Sequence, residues 1–341
     1  MGTSLEPYDR ARAYFWIAKT YQSLDNIEKF NEALTAASLT DPTGYYSERA
    51  QDIINGRKPF TPPGMFDLAY DINLDRDQAV DWMKQTFVID EKEDFKGMNE
   101  LLGEAALQRG AELWDLGLFS EARLEFESLR SAVSEDPVRS FILADYFNEL
   151  GLYRSATFAA RNVLDLAGLN DESSLFAPMY FNRIRFPTHF EDIIIPASNE
   201  FNLHPLLLFS VIRQESLFES FVQSHAAAQG LMQIIPATGQ EIAQDLGWPE
   251  NYQENDLYRP NVNIRFGAYY LSKQLKLFDG DYYAALAAYN GGPGNADQWK
   301  KLSMDDQDLF LEIIRYPETQ DYIRRIYEIF SIYRRLYNRT P

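Results

Sequence analysis

AELWDLGLFSEARLEF (residues 111–126) and ADYFNELGLYRSATFA (residues 144–159) share a core of Leu-Gly-Leu followed by an aromatic residue. Leu116-Gly117-Leu118-Phe119 and Leu150-Gly151-Leu152-Tyr153 lie 34 residues apart, with Ala122 and Ala156 in the same register. A repeat of that length is one helix–turn–helix unit, and its small residues let the two helices approach closely. Periodicity near 3.6 extends around this pair, up to about residue 166. Further upstream, residues 9–39 give two amphipathic helical segments with a polar break at Asp25-Asn26, followed by the turn signal DPTGYY (41–46). NGRKPFTPPG (55–64) is the clearest linker in the chain.

Composition bounds what such a chain can do. Its 341 residues exceed one average core and suggest two or three packing units. A hydrophobic content of 45% excludes general disorder. With 32 basic against 51 acidic residues, the formal charge of −19 argues against nucleic acid and anionic membrane surfaces as partners. There is no Cys, hence no disulfide and no cysteine-based zinc site, and the three His (His189, His204, His225) are too scattered to suggest a metal centre. No apolar run is long enough to span a bilayer. The opening MGTSLEPYDRARAYF lacks the apolar segment and cleavage site of a signal peptide and reads as a trimmed start. The helical first half reads as a tetratricopeptide-like scaffold without chemistry, with Trp16, Trp82 and Trp114 in its core.

The texture changes near Phe186. FPTHFEDIIIPASNEFNLHPLLLFSVIRQES (186–216) gives a linker, a helix, and a second helix opened by Pro205. Glu215 falls on that helix's apolar stripe, at i+3, i+4 and i+7 from Ile212, Val211 and Leu208. A carboxylate there is either a surface edge or a working acid. LFESFVQSHAAAQGLMQIIPATG (217–239) is irregular until Pro236 opens another helix. DYYAALAAYNGGPG (281–294) is an Ala-rich helix expected to stop at Asn290-Gly291-Gly292 with a left-handed cap. No alternating β run appears, so the domain reads as all-α. Taken singly, Glu215, the turn AAQGLMQ (227–233) and the helix stop AYNGGPG (288–294) each have an ordinary structural reading. None is a phosphate-binding loop.

In this order and spacing, IRQES (212–216), GLMQ (230–233), AYNGGPG (288–294) and ETQDY (318–322) resemble the four successive motifs of the soluble lytic transglycosylases, bacterial peptidoglycan-cleaving enzymes. The match spans roughly residues 205–325, and the helical first half resembles more loosely the superhelical region of the larger members. The resemblance implies an all-α fold with a helical repeat segment over 1–56, a Pro-rich linker over 57–64, a helical domain over 65–184 and a lysozyme-like catalytic domain over 185–341. It implies that Glu215 is the single catalytic acid/base, acting on the bond between MurNAc and GlcNAc. Ser216 would complete the Glu-Ser pair, while Ser224 and Gln233 would bind sugar groups. Ile235 would make an apolar contact where some members carry Met. Tyr289 and Asn290 would face the same cleft, and Glu318 and Tyr322 would close it from a later helix. Gly230, Leu231 and Met232, and Gly292, Pro293 and Gly294, would be structural members of the motifs. Gly291 departs from the more frequent Ala and Gln320 from a frequent basic residue, while His225 has no assigned role.

The chemistry agrees with that assignment. A glycosidic oxygen leaves only when protonated, and an apolar surround raises a carboxyl pKa as the task requires. Ordinary glycosidases add a second carboxylate. None is obvious here, since Glu219, one turn further along the helix, is expected to be solvated. In the transglycosylase route the substrate's own acetamido group assists, and its C6 hydroxyl attacks the anomeric carbon while Glu215 takes its proton. The product is a 1,6-anhydro sugar, and tethering favours the internal attack. A goose-type lysozyme-like hydrolase and a non-catalytic glycan-binding scaffold are the alternative readings. No cofactor or metal is implied; DDQDLFLE (305–312) lacks the Gly of a calcium loop and reads as a solvated helix start. The expected partners are peptidoglycan glycan strands, with cell-wall proteins possible on the helical region. The expected compartment, from the resemblance alone, is extracytoplasmic: the periplasm or cell envelope.

Overall fold

A computed structural model describes residues 6–98, 101–304 and 306–339. Helix α1 (Pro7–Ser23) and α2 (Ile27–Thr40) are separated where Asp25 adopts φ +55° and the Asn26 side chain caps the second helix at Lys29 N. After α3 (Tyr45–Ile54) the linker runs without helix to α4 (Ile72–Phe87). The repeat then unfolds as two hairpins, α5 (Ala105–Asp115) with α6 (Phe119–Ala132) and α7 (Pro137–Leu150) with α8 (Tyr153–Leu166). Short α9 (Asp171–Ser174) and α10 (Met179–Arg185) lead to α11 (Glu191–Phe201) and α12 (Pro205–Ser216). Beyond an irregular loop come α13 (Pro236–Leu246), a 3-10 helix (Glu254–Tyr258) and α14 (Pro260–Leu277). The chain ends with α15 (Tyr282–Gly291), α16 (Pro293–Leu302), α17 (Gln307–Ile313) and α18 (Pro317–Tyr337). Among the described residues there is no β-strand, only isolated bridges such as Gln229–Ile234. The all-α reading holds.

By compactness the chain divides into two units, one of residues 1–67, 201–210 and 268–341, the other of residues 68–200 and 211–267. In the first unit α3 packs on α18, and α15 packs on α16, α17 and α18. Its interior is aromatic: Tyr45, Tyr283 and Tyr327 are sealed from solvent, with the Tyr45 and Tyr283 hydroxyls 2.8 Å apart. Charges buried there are paired, as burial demands. Asp52, fully buried, accepts from Arg334 Nη2 at 2.7 Å and from the Tyr327 hydroxyl at 2.5 Å. The expected solvated helix start at 305–312 is corrected here. Asp306 does cap α17, but Asp308 is only 5% exposed and is bound by Arg49 at 2.8 Å and Lys19 at 3.0 Å; residue 305 lies outside the described residues. Helix α15 stops at Gly292, with φ 85° and ψ 146°, so the cap is not the left-handed one expected; the same residue starts α16.

The second unit bears out the 34-residue register. Gly117 and Gly151 take φ +76° and +80° at the two equivalent hairpin turns, a conformation that costs glycine little. Ala122 and Ala156 are both fully buried, and α6 packs on α8. Phe126, Phe141, Phe147 and Phe181 fill the core between the helices. Trp82 and Trp114 line its margin and are half-buried rather than sealed inside; Trp16, in the first unit, is likewise half-buried.

Candidate active site

Helix α12 buries Leu208, Val211 and Ile212 completely and then ends, leaving Glu215 half-buried in its last turn. Leu217 and Phe218 follow with φ +50° and +65°, two successive left-handed residues that turn the chain off the helical axis. The Ser216 hydroxyl, itself buried, donates to Leu231 O at 2.9 Å and so ties the end of α12 to the GLMQ turn. That turn is held by a residue the sequence reading missed. Asn263, fully buried in α14, accepts from Met232 N at 2.6 Å and donates to Gln229 O at 2.8 Å and Leu257 O at 2.7 Å. Gly230 sits at φ +74°, and a Cβ there would meet Leu257 O and lie 2.9 Å from Asn263 Cγ. Leu231 and Met232 are fully buried, and Met232 fills the space that Gly267 leaves open. The Gln233 amide donates to Gly230 O at 2.8 Å, which fixes its side chain at the mouth of the turn.

These elements surround a cavity of about 570 Å³ within the second unit. Glu215, Ser216, Ser224 and Gln233 all line it. The Ser224 hydroxyl accepts from Ala226 N at 3.2 Å and Ala228 N at 3.0 Å, so it also shapes its own loop. Ile235, 42% exposed and N-cap of α13, is not among the lining residues. Tyr258 is, at the end of the 3-10 helix, with its hydroxyl pKa raised by burial. Sequence reasoning missed it, because nothing in ENDLY marks an aromatic as cavity-lining. Ser120, Arg123 and Arg154, from α6 and α8, line the cavity as well. The helical first half, expected to be a scaffold without chemistry, thus supplies part of the wall of this cavity. His225 is exposed and also absent from the lining.

Glu219 corrects a second expectation. It is 1% exposed, not solvated, and accepts from Arg123 Nη1 at 3.1 Å through one oxygen. Burial raises its pKa and Arg123 opposes that rise. It lies beyond the left-handed pair Leu217-Phe218 rather than on the helix, and it does not line the cavity. Among the described lining residues Glu215 is the only carboxylate.

The third and fourth motifs fall in the first unit. Tyr289, half-buried on α15, has its ring centroid 5.4 Å from that of Tyr270. Asn290 is exposed, and its Oδ1 accepts from the Thr319 hydroxyl at 2.6 Å, joining the end of α15 to the first turn of α18. A Cβ at Gly291, where Ala is more frequent, would stand 3.0 Å from Thr319 Oγ1, a tight contact against the hydroxyl that binds Asn290. Gly292, Pro293 and Gly294 carry the chain from α15 straight into α16. Glu318 is exposed in the first turn of α18, where the helix dipole favours a negative charge, and Tyr322 is 4% exposed one turn later. Gln320 spans locally, its amide donating to Leu311 O at 2.8 Å. No group of His, Asp or Glu among the described residues has a metal-binding arrangement.

Residues 192–309 match the family described as Transglycosylase SLT domain. Over 152 residues the chain is 30% identical to the soluble lytic murein transglycosylase of Salmonella typhimurium, covering 44% of this chain and 24% of that protein. Identity and coverage are the same for the soluble lytic murein transglycosylase of Escherichia coli K12. The membrane-bound lytic murein transglycosylase C of Cronobacter sakazakii is 28% identical over 153 residues, 42% of this chain and 39% of its own length. Among solved structures, the 70 kDa soluble lytic transglycosylase of E. coli superposes with a TM-score of 0.68 at 21% identity, over 97% of this chain and 47% of that one. An inactive mutant of the lytic transglycosylase Slt from Pseudomonas aeruginosa gives 0.66 at 24% identity, over 95% and 46%. The chain thus spans about half the length of these solved structures, and its aligned segment about a quarter of the first two curated relatives. The resemblance to soluble lytic transglycosylases holds in sequence and in fold.

Proposed function

From a chain that carries a transglycosylase SLT domain, we propose a peptidoglycan lytic transglycosylase that cleaves the MurNAc-β-1,4-GlcNAc bond and leaves 1,6-anhydro-MurNAc ends. The observation that carries the proposal is the cavity in which Glu215 is the only carboxylate among the described lining residues. A two-carboxylate glycosidase needs a nucleophile or base across the bond, and Glu219 is turned away and engaged by Arg123. A lone acid is sufficient when the substrate supplies its own nucleophile.

Glu215 protonates the glycosidic oxygen and then, as carboxylate, receives the proton of the C6 hydroxyl that closes the anhydro ring. Ser224, Gln233 and Tyr258 orient the sugars at the same cavity, and Ser216 fixes the acid's helix against the GLMQ turn. Ile235, exposed at the N-cap of α13, offers a peripheral apolar contact. Residues 185–341 act as the catalytic domain and residues 65–184 as the helical domain before it. The working compartment is the cell envelope. No helix among the described residues is long and apolar enough to cross a membrane.

The test incubates purified peptidoglycan with this chain and with its Glu215→Gln variant, and reads the soluble muropeptides by mass spectrometry. Anhydro products made by the wild type and not by the variant support the proposal. Reducing-end products, one water heavier, replace it with a lysozyme-like hydrolase. Binding without cleavage by the wild type leaves a glycan-binding scaffold.

A further inference from the structure

Ser120 and Arg154 occupy the second helical position of α6 and α8, one repeat of 34 residues apart, and both line the Glu215 cavity. Arg123, one turn into α6, lines it too. The repeat register places Ser120 and Arg154 at the wall of the cavity, and Arg123 adds a second guanidinium there, on a chain whose net charge is −19. The two differ in what they are bound to. Arg123 donates to buried Glu219 at 3.1 Å, which holds it in place and neutralises it. Arg154 is exposed and makes no ion pair among the described residues; its guanidinium stands 5.5 Å from the centroid of the Phe158 ring, one helical turn away. Glu219, whose charge Arg154 also feels, is already committed to Arg123.

We propose that Arg154, seconded by Ser120 and Arg123, is an anion subsite that takes a carboxylate borne on the lactyl side of the muramoyl sugar. The inference rests on the reading of Glu215 as the acid of a peptidoglycan-cleaving site. A guanidinium suits this task because its planar fork can hold both carboxylate oxygens while keeping its charge at any working pH. The carboxylate has two possible sources, the lactyl group itself on stem-free strands or the peptide stem on intact ones.

Binding is measured in the Glu215→Gln background, with and without Arg154→Gln or Arg154→Lys, by titration calorimetry. Three ligands are compared: stem-bearing glycan oligomers, the same oligomers with their carboxylates converted to amides, and stem-free oligomers. The expected result is a loss of about tenfold for Arg154→Gln with stem-bearing oligomers, none with the amidated ones, and a smaller loss for Arg154→Lys. A loss confined to stem-bearing oligomers assigns the stem carboxylate; a loss that extends to stem-free oligomers shows that the free lactyl carboxylate is taken as well. Equal losses with native and amidated oligomers, or no loss with either, overturn the subsite. Wild-type cleavage of peptidoglycan is assayed beside these titrations. Cleavage with an unaltered binding pattern removes the subsite alone, whereas failure of the wild type to bind or cut removes the functional reading beneath it.

Discussion

Replacing Asn263 by Ala should loosen the GLMQ turn, and the size of the effect follows from three hydrogen bonds. Met232 N loses its acceptor at 2.6 Å, and Leu257 O loses its donor at 2.7 Å. Gln229 O loses a donor at 2.8 Å but keeps Ile234 N at 3.1 Å. Two buried backbone groups thus each lose a hydrogen bond, at roughly 1–3 kcal/mol each, for an expected loss of about 4 kcal/mol. Urea unfolding gives the total, and hydrogen exchange at the Met232 amide locates it. Asn263→Asp sharpens the test. It keeps the acceptor for Met232 N but sets an oxygen against two carbonyls, so it should be as damaging at neutral pH and recover part of the loss in acid, where a protonated carboxyl can donate. A loss below about 1 kcal/mol, with unchanged exchange at Met232, would show that the turn is held by something else.

Two further perturbations probe packing and ionisation. Gly267→Ala puts a methyl group against the Met232 side chain, 2.7 Å from its Cβ, and should cost about 1–3 kcal/mol. The cost should shrink when Met232→Ala is present, so additive losses across the double-mutant cycle would refute the contact as its cause. Glu328, half-buried on α18 and accepting from Tyr45 N at 2.9 Å, has its pKa pushed up from 4.5 to about 7, chiefly by desolvation. A raised carboxyl pKa means that the folded state keeps a proton the unfolded state releases. Stability should therefore be full below about pH 4.5 and fall by about 3 kcal/mol as pH rises through 7. Glu328→Gln should flatten that slope in a pH series of unfolding midpoints; an unchanged slope would place the titration elsewhere.

What was legible in the sequence was local or periodic. The Leu-Gly-Leu turns and the paired Ala122 and Ala156 announce the hairpins because each feature acts within one repeat. The same locality makes Glu215, Ser216 and the GLMQ turn readable, since their spacing is set by one helix end and one loop. Contacts that join distant segments left no such trace. Asn263 grips Met232 from 31 residues away, and Arg123 reaches Glu219 across 96. Neither pair has a period or a pattern to reveal it.

The error over Glu219 shows how a correct local rule fails. Four residues after Glu215 means the same helical face only if the helix continues, and Leu217 and Phe218, both at positive φ, end that premise. Neither is Gly or Asn, the residues that usually mark such a break, so the sequence gives no warning. The consequence reaches the chemistry. Had the helix continued, Glu219 would have stood one turn from the acid, where a second carboxylate could serve as nucleophile or base. Turned inward, it is neutralised by Arg123, and Glu215 is left as the only carboxylate among the described residues of the cavity. The break after α12 thus removes Glu219 as a second carboxylate of the cavity, as the proposed single-acid reading requires.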